Sequence, residues 1–122
     1  MGAVLALSAS AAPQLQCQVT YAGVTRTVLA QPVQDPYPVT SVDIGRRFRF
    51  KPVVVGTSER VDRVLIYVHL TDGPHPMLIQ QARYLPPFPV PGQGTLTGDQ
   101  RLYAGALERE LIYNCSLEGL SP

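Results

Sequence analysis

Two histidines, an aspartate and a methionine lie close together in the run His-Leu-Thr-Asp-Gly-Pro-His-Pro-Met. They are His69, Asp72, His75 and Met77. Imidazole together with thioether ligands suits copper, so one hypothesis is a periplasmic domain that handles a metal or a small molecule with this turn. The spacing matches no established metal motif, however, and the Gly-Pro step favours the end of a strand followed by a turn. We therefore predict no metal site here and no cofactor.

A run of alternating basic and aromatic residues, Arg-Arg-Phe-Arg-Phe-Lys, extends from Arg46 to Lys51. In a strand, Phe48 and Phe50 would point to one face. The other face would carry a basic stripe of Arg47, Arg49 and Lys51. Platforms for single-stranded nucleic acid place cations and aromatic rings on the same face, whereas this alternation separates them. We therefore predict no nucleic-acid binding and treat the stripe as a candidate surface for binding a protein.

A proline-rich stretch from Pro86 to Pro91 contains one aromatic residue, Phe88. Proline-rich segments dock into aromatic grooves of partner proteins, but they also serve as rigid connections. Phe88 would then either anchor a partner or fold back against the core. We include Phe88 among the candidate interaction residues.

Motifs that carry catalysis are missing from the sequence. It contains no phosphate-binding glycine loop, no G-x-S-x-G and no H-E-x-x-H. Glu108 and Glu110 are two positions apart, which is more typical of a solvated strand face than of an acid–base pair. The formal net charge of +1 produces no overall field that would steer nucleic acid. We therefore predict no catalytic residues and no enzymatic activity.

The two cysteines, Cys17 and Cys115, lie near opposite ends of the chain. From Leu15 to Tyr21, apolar and polar residues alternate strictly, which is the pattern of a half-buried strand. Cys115 shares its parity with the apolar residues Leu111, Tyr113 and Leu117. Both cysteines are thus predicted on core-facing positions of the first and last strands, joined by a disulfide in an oxidising compartment. The alternative is two buried free thiols in a cytosolic protein.

Residues 1–12 are uncharged and apolar, and they end in a run of small residues before Pro13. This is the composition of the end of a signal peptide, although no basic segment precedes the apolar run. The alternative is a disordered apolar terminus. We predict export to the periplasm or secretion, followed by a single domain over residues 13–122. No run approaches the roughly 20 apolar residues of a membrane span, so none is predicted.

The rest of the chain indicates an all-β fold. Hydrophobic residues make up 45% and charged residues 16%, a balance that excludes a disordered chain. Strands are predicted over 24–31, 44–55, with Gly45 as a bulge, 61–71 and 77–85. Residues 99–107 fit a short helix or a strand, and the later alternation favours the strand. Six or seven such strands predict an antiparallel β-sandwich that is immunoglobulin-like only in its loose architecture.

These patterns predict an exported β-sandwich that works by binding, most plausibly to another protein. The competing hypothesis is the metal- or small-molecule-handling domain built on the histidine turn. A protein-binding surface predicts an exposed patch or strand edge, whereas a ligand site predicts a concave pocket with convergent polar groups.

Overall fold

Nine β-strands and no helix are formed by the residues that the computed structural model describes, which are 12–71, 74–90, 92–104 and 109–120. The predicted all-β class is therefore confirmed. Four strands form the first sheet, in the spatial order β2-β1-β9-β8: β1 (Gln14–Tyr21), β2 (Val24–Ala30), β8 (Gln100–Ala104) and β9 (Arg109–Glu118). Five strands form the second: β3 (Pro32–Val33), β4 (Val42–Ile44), β5 (Phe48–Gly56), β6 (Val61–Leu70) and β7 (Met77–Tyr84).

The two sheets pack face to face as the predicted sandwich. Among the seven longer strands, every hydrogen-bonded pair of neighbours is consecutive along the chain, except the pair of β1 with β9. This order is that of a meander and differs from the Greek key of immunoglobulin domains. The short strands β3 and β4 share one edge of β5, and β3 pairs parallel to it, so the second sheet is mixed.

The disulfide between Cys17 and Cys115 confirms the predicted link between the first and last strands. The two cysteines are directly opposite in the antiparallel β1–β9 pair, with their Cα atoms 4.0 Å apart, and both are fully buried. They are 98 positions apart in sequence. Closing so long a loop in the unfolded chain is worth roughly 4–5 kcal/mol in the chain-entropy model, whereas bridges typically contribute about 2–4 kcal/mol. A structural disulfide also indicates an oxidising environment.

One continuous core fills the space between the sheets. Alternate residues of β1 and β9 face even-numbered residues of β5 and β6, as the strand periodicity predicts. Two aromatic pairs cross the interface, Tyr21 with Phe48 and Phe50 with Tyr113, at ring-centroid distances of 5.4 and 5.1 Å. The buried members of this core are Leu15, Cys17, Val19, Tyr21, Val28, Ile44, Phe48, Phe50, Val54, Val61, Val64, Ile66, Val68, Leu111, Tyr113, Cys115 and Leu117.

A polar link joins the two sheets through side chains of β7, β8 and β9. The buried Tyr113 hydroxyl of β9 donates a hydrogen bond to the side-chain oxygen of Gln80 in β7. The Gln80 amide in turn donates to Gln100 Oε1 of β8, at 3.4 Å. Burial raises the pKa of Tyr113 well above its usual value, so its hydroxyl stays protonated as the donor.

A second, smaller cluster lies on the outer side of the second sheet. Val53, Val55 and Leu65 are buried there beneath Val33 and Val39 of the segment that leads from β3 to β4. The second half of β5 is therefore covered on both faces, in contrast to the half-exposed strand that period-two alternation describes.

The prediction of one strand over residues 44–55 is wrong at its beginning. A tight turn separates β4 from β5, and Ile44 pairs with Phe48 across it. Gly45 and Arg46 both adopt the left-handed region, with φ of 61° and 60°. A Cβ on Gly45 would lie 2.4 Å from the ring of Tyr21, so only glycine fits under that ring. Gly45 thus marks a hairpin turn instead of the predicted bulge.

The predictions of strands over 24–31, 61–71 and 77–85 agree with the structure, and each of these three strands ends one residue earlier than predicted. Residues 100–104 form β8, so the strand alternative is correct for this part of the ambiguous region. Residues 105–108 lie outside the described residues, as do residues 1–11 of the predicted signal-peptide remnant.

Reducing the disulfide should lower the melting temperature by roughly 10 °C or more, because a loss of about 2–4 kcal/mol is large for a domain of this size. Calorimetry with and without reductant measures the shift. A Cys17→Ala, Cys115→Ala variant is the control and should melt at one temperature in both buffers. Equal melting of the native protein in both buffers would contradict a stabilising role of the bridge.

Truncation of two adjacent residues of β5 should change the stability by very different amounts, because their side chains are on opposite faces of the sheet. Phe50 is fully buried, so Phe50→Ala should lower the free energy of unfolding by about 3–5 kcal/mol. Arg49 faces solvent, and Arg49→Ala should change it by less than about 0.5 kcal/mol. Urea denaturation measures both, and Phe50→Leu offers a milder variant if Phe50→Ala does not fold. Similar losses at the two positions would show that the assigned faces of β5 are wrong.

Candidate functional site

The outer side of the second sheet collects basic side chains from three strands. Arg49 of β5 lies directly opposite His69 of β6, and Lys51 lies opposite Tyr67. Directly opposed residues in an antiparallel pair point to the same face, so these four side chains form one surface. This surface contains two members of the predicted stripe, Arg49 and Lys51, and extends beyond them.

Two further arginines join the same surface. Arg63 of β6 lies opposite Val55, and Arg83 of β7 lies opposite Leu65. Val55 and Leu65 belong to the outer cluster, so both arginines are on the outer side of the sheet. We call the set Arg49, Lys51, Arg63, Tyr67, His69 and Arg83 the basic face. It carries four permanent positive charges around one tyrosine.

The charges of the basic face are not neutralised by acidic side chains of the described residues. Asp43 of β4 lies opposite Arg49, but its carboxylate accepts the backbone N–H of Arg46, at 3.2 Å, and forms no ion pair with Arg49. Within the described ranges, Arg83 likewise has no ion-pair partner. Lys51 Nζ lies 5.7 Å from the ring centroid of Tyr67, a cation–π contact that leaves the positive charge in place.

The outer side of the first sheet has the opposite character, because its polar groups bind one another. Thr27 donates to Gln18 at 3.1 Å, and the hydroxyls of Thr20 and Thr25 lie 2.7 Å apart. The Asn114 side-chain amide donates to Asp99 at 2.8 Å. Such internally paired groups offer few unpaired donors to a ligand.

One pair of charged groups of the first sheet is bound in the same way. Arg101 forms an ion pair with Glu110, at 2.7 Å. A hydrogen bond from the Tyr103 hydroxyl, together with this arginine, lowers the pKa of Glu110, and the same hydrogen bond raises the pKa of Tyr103. Arg26 of β2 is an exception, because its guanidinium donates to the backbone carbonyl of Asp43 at 2.9 Å and has no carboxylate partner among the described residues. The basic face nevertheless gathers four such cations on one surface.

A cleft of about 530 Å³ opens at one end of the basic face. We call it the Arg49 cleft. Its floor is formed by β5 and β6, and its walls are formed by the segment before β4 and by Pro76, which precedes β7. The lining residues are Val39, Thr40, Ser41, Arg49, Lys51, His69 and Pro76.

A second concavity, of about 450 Å³, lies between β2 and the edge of β5. Val28, Val42 and Pro52 are typical of its apolar lining, and Asp35 contributes a carboxylate at its rim. The polar members of its described lining are Gln31, Asp35 and Thr40.

The remaining predicted interaction residues lie apart from the cleft. Arg47 is in the turn that precedes β5, where its carbonyl accepts the backbone N–H of Thr71 at 2.8 Å. Phe88 is half-buried and packs against the core between the sheets. Of the two roles weighed for Phe88, its position matches folding back against the core.

The predicted metal-binding turn is only partly within the described residues. His69 lines the Arg49 cleft, whereas His75 and Met77 are exposed near the start of β7. Asp72 lies outside the described residues. Among those described, no three His, Cys, Asp or Glu side chains are close enough together to hold a metal ion.

Comparison with known proteins finds no matching family model, no matching curated protein and no matching solved structure. None of the described residues belongs to a helix long and apolar enough to cross a membrane. Function is therefore inferred from the surface of this chain alone.

Copper, nickel and zinc at micromolar concentration should give no stoichiometric binding, because His75 and Met77 are exposed to solvent and Lys51 and Arg49 repel cations from His69. Titration calorimetry of the native protein is the measurement, with His75→Ala as the matched variant. A tight one-to-one isotherm that this substitution abolishes would establish the metal hypothesis in place of our prediction.

Proposed function

We propose that this chain is an exported, non-catalytic β-sandwich domain that binds an acidic protein partner on the basic face. The observation that carries the proposal is the concentration of Arg49, Lys51, Arg63 and Arg83 on one outer surface without neutralising partners among the described residues. Neither of the ion pairs Arg60–Asp62 and Arg101–Glu110 includes a residue of the basic face.

The placement of these cations on a sheet favours recognition. Strands β5, β6 and β7 hydrogen-bond to one another along most of their length, so the side chains project from a rigid floor. A preorganised surface loses less conformational entropy on binding than a loop does. Arginine and tyrosine are enriched in protein interfaces, where arginine pairs with carboxylates through two parallel hydrogen bonds. Tyr67, at the centre of the basic face, adds apolar contact area.

Electrostatic complementarity would act mainly on specificity and on the rate of association. The charges are exposed, so salt screens them and binding should weaken as ionic strength rises. A partner with a cluster of carboxylates fits this surface, whereas a basic partner would be repelled.

The Cys17–Cys115 bridge supports a working location outside the reducing cytosol, in the periplasm or after secretion. Its buried position in the first sheet leaves it no part in binding. The first sheet then serves as the structural half of the domain, and the second sheet presents the binding surface.

A second candidate function, the binding of a small ligand, is favoured by one observation. His69, which belonged to the predicted metal-binding turn, lines the Arg49 cleft beside two cations. This environment suits an anion and disfavours a metal cation.

Charge reversal on the basic face tests the proposed function. Immobilised polyglutamate is the acidic probe, and biolayer interferometry measures the affinity over a series of salt concentrations. Arg49→Glu with Arg83→Glu should weaken binding at least tenfold, because attraction becomes repulsion at two points of the surface. Thermal melting checks that the variant remains folded.

The matched control is Arg60→Glu with Arg101→Glu, which changes the net charge by the same amount away from the basic face. It should weaken binding less than threefold. Equal losses in the two variants would show that binding reports only the overall charge, and the basic face would then not be a specific surface.

A further inference from the structure

Five side chains that can donate hydrogen bonds line the Arg49 cleft. Arg49, Lys51 and His69 supply nitrogen donors from the floor, and Thr40 and Ser41 supply hydroxyls from one wall. Arg49 and His69 are directly opposite in the β5–β6 pair, where Cβ atoms are typically about 4.5–5.5 Å apart. Lys51 follows two residues after Arg49 on the same face. The donors thus come from two strands and a separate segment and border one space.

These donors are available for a ligand. Within the described residues, neither the hydroxyls of Thr40 and Ser41 nor the Arg49 guanidinium form a hydrogen bond to another side chain. Asp43 is the carboxylate nearest in register to Arg49, yet it does not line the cleft, and its side chain accepts a hydrogen bond from the backbone of Arg46. The cleft therefore offers donors and positive charge, and none of its described lining residues carries a carboxylate.

We infer that the Arg49 cleft binds one tetrahedral oxyanion, a phosphate or sulfate group. This inference refines the proposed function and rests on it for the role of the basic face. Two permanent cations, Arg49 and Lys51, match the charge of a doubly negative group. Arginine, lysine and hydroxyl donors are the groups that contact phosphate oxygens in proteins.

The shape of the cleft is consistent with an anion that is part of a larger molecule. At about 530 Å³ the cleft falls within the range of small-ligand pockets, and it exceeds the space that a bare oxyanion occupies. Val39 and Pro76 add apolar surface at its walls, against which the group that carries the anion can pack. The same chemistry is presented by the free ion and by a phosphate or sulfate ester on a partner.

Nuclear magnetic resonance titration with inorganic phosphate and inorganic sulfate tests the inference on the intact domain, with sodium acetate at equal ionic strength as the reference. We expect saturable shifts confined to Thr40, Ser41, Arg49, Lys51 and His69, with acetate causing smaller, non-saturating changes. Arg49→Gln should raise the dissociation constant for phosphate and sulfate at least fivefold. Arg63→Gln removes one equal charge of the basic face outside the cleft and should change it less than twofold.

Shifts that spread over the whole basic face, or equal effects of the two glutamine variants, would overturn the inference. The source of the anion is read from a second arm that uses one acidic peptide with and without a single phosphoserine. Tighter binding of the phosphorylated peptide, lost in Arg49→Gln, assigns an ester on a partner. Unchanged peptide binding together with localised binding of inorganic phosphate assigns the free ion.

The two proposals fail separately. If charge reversal abolishes polyglutamate binding while phosphate gives no localised shifts, the basic face stands and the oxyanion site does not. If phosphate binds in the cleft while polyglutamate binding ignores the charge reversal, the oxyanion site stands and the protein-binding proposal does not.

Discussion

The pairing of β1 with β9 is the one contact between distant parts of the chain on which the first sheet depends. The other pairings of the seven longer strands join consecutive strands, which can form locally, whereas β1 and β9 must meet across the rest of the domain. The Cys17–Cys115 bridge lies at the middle of this pair and keeps it closed. Within the described residues, the second sheet makes no backbone pairing to β1 or β9. The β1–β9 closure therefore supports the strands of the basic face only through the core.

The buried outer cluster connects the fold to the binding surface. Val39 packs on the same side of the sheet that carries Arg49 and Lys51, and it also lines the Arg49 cleft. Hydrophobic burial of Val33 and Val39 therefore positions the wall that contains Thr40 and Ser41. Pro52 lies on the edge of β5 between the residues that pair with β4 and those that pair with β3. Neither short strand pairs with β5 at this position, so the N–H group that proline lacks is not required for pairing on that edge.

Local patterns were enough to predict the disulfide, the sandwich and the inward position of Phe48 and Phe50. In a sheet with one buried and one solvent-exposed face, alternate residues are buried, so the alternation of apolar residues indicates which side chains face the core. The hairpin at Gly45 was missed because Arg46 adopts a left-handed conformation that is uncommon for a non-glycine residue. The uninterrupted apolar run from Pro52 to Val55 is the sequence feature that indicates burial of this part of β5 on both faces. Arg83 could not be placed on the basic face from sequence, since that requires the register of β6 with β7 across a bulge.

The most direct test of the binding surface uses Lys51, the only lysine in the chain. A photo-crosslinker attached to this amine, with the terminal amine blocked, sits on the basic face. The reference protein carries Lys51→Arg and Thr27→Lys, which moves the crosslinker to the outer side of the first sheet and preserves the charge of the basic face. In the exported fraction of the source organism, we predict that one acidic protein is crosslinked through position 51 and not through position 27. The same proteins crosslinked from both positions, or none from position 51, would contradict the account.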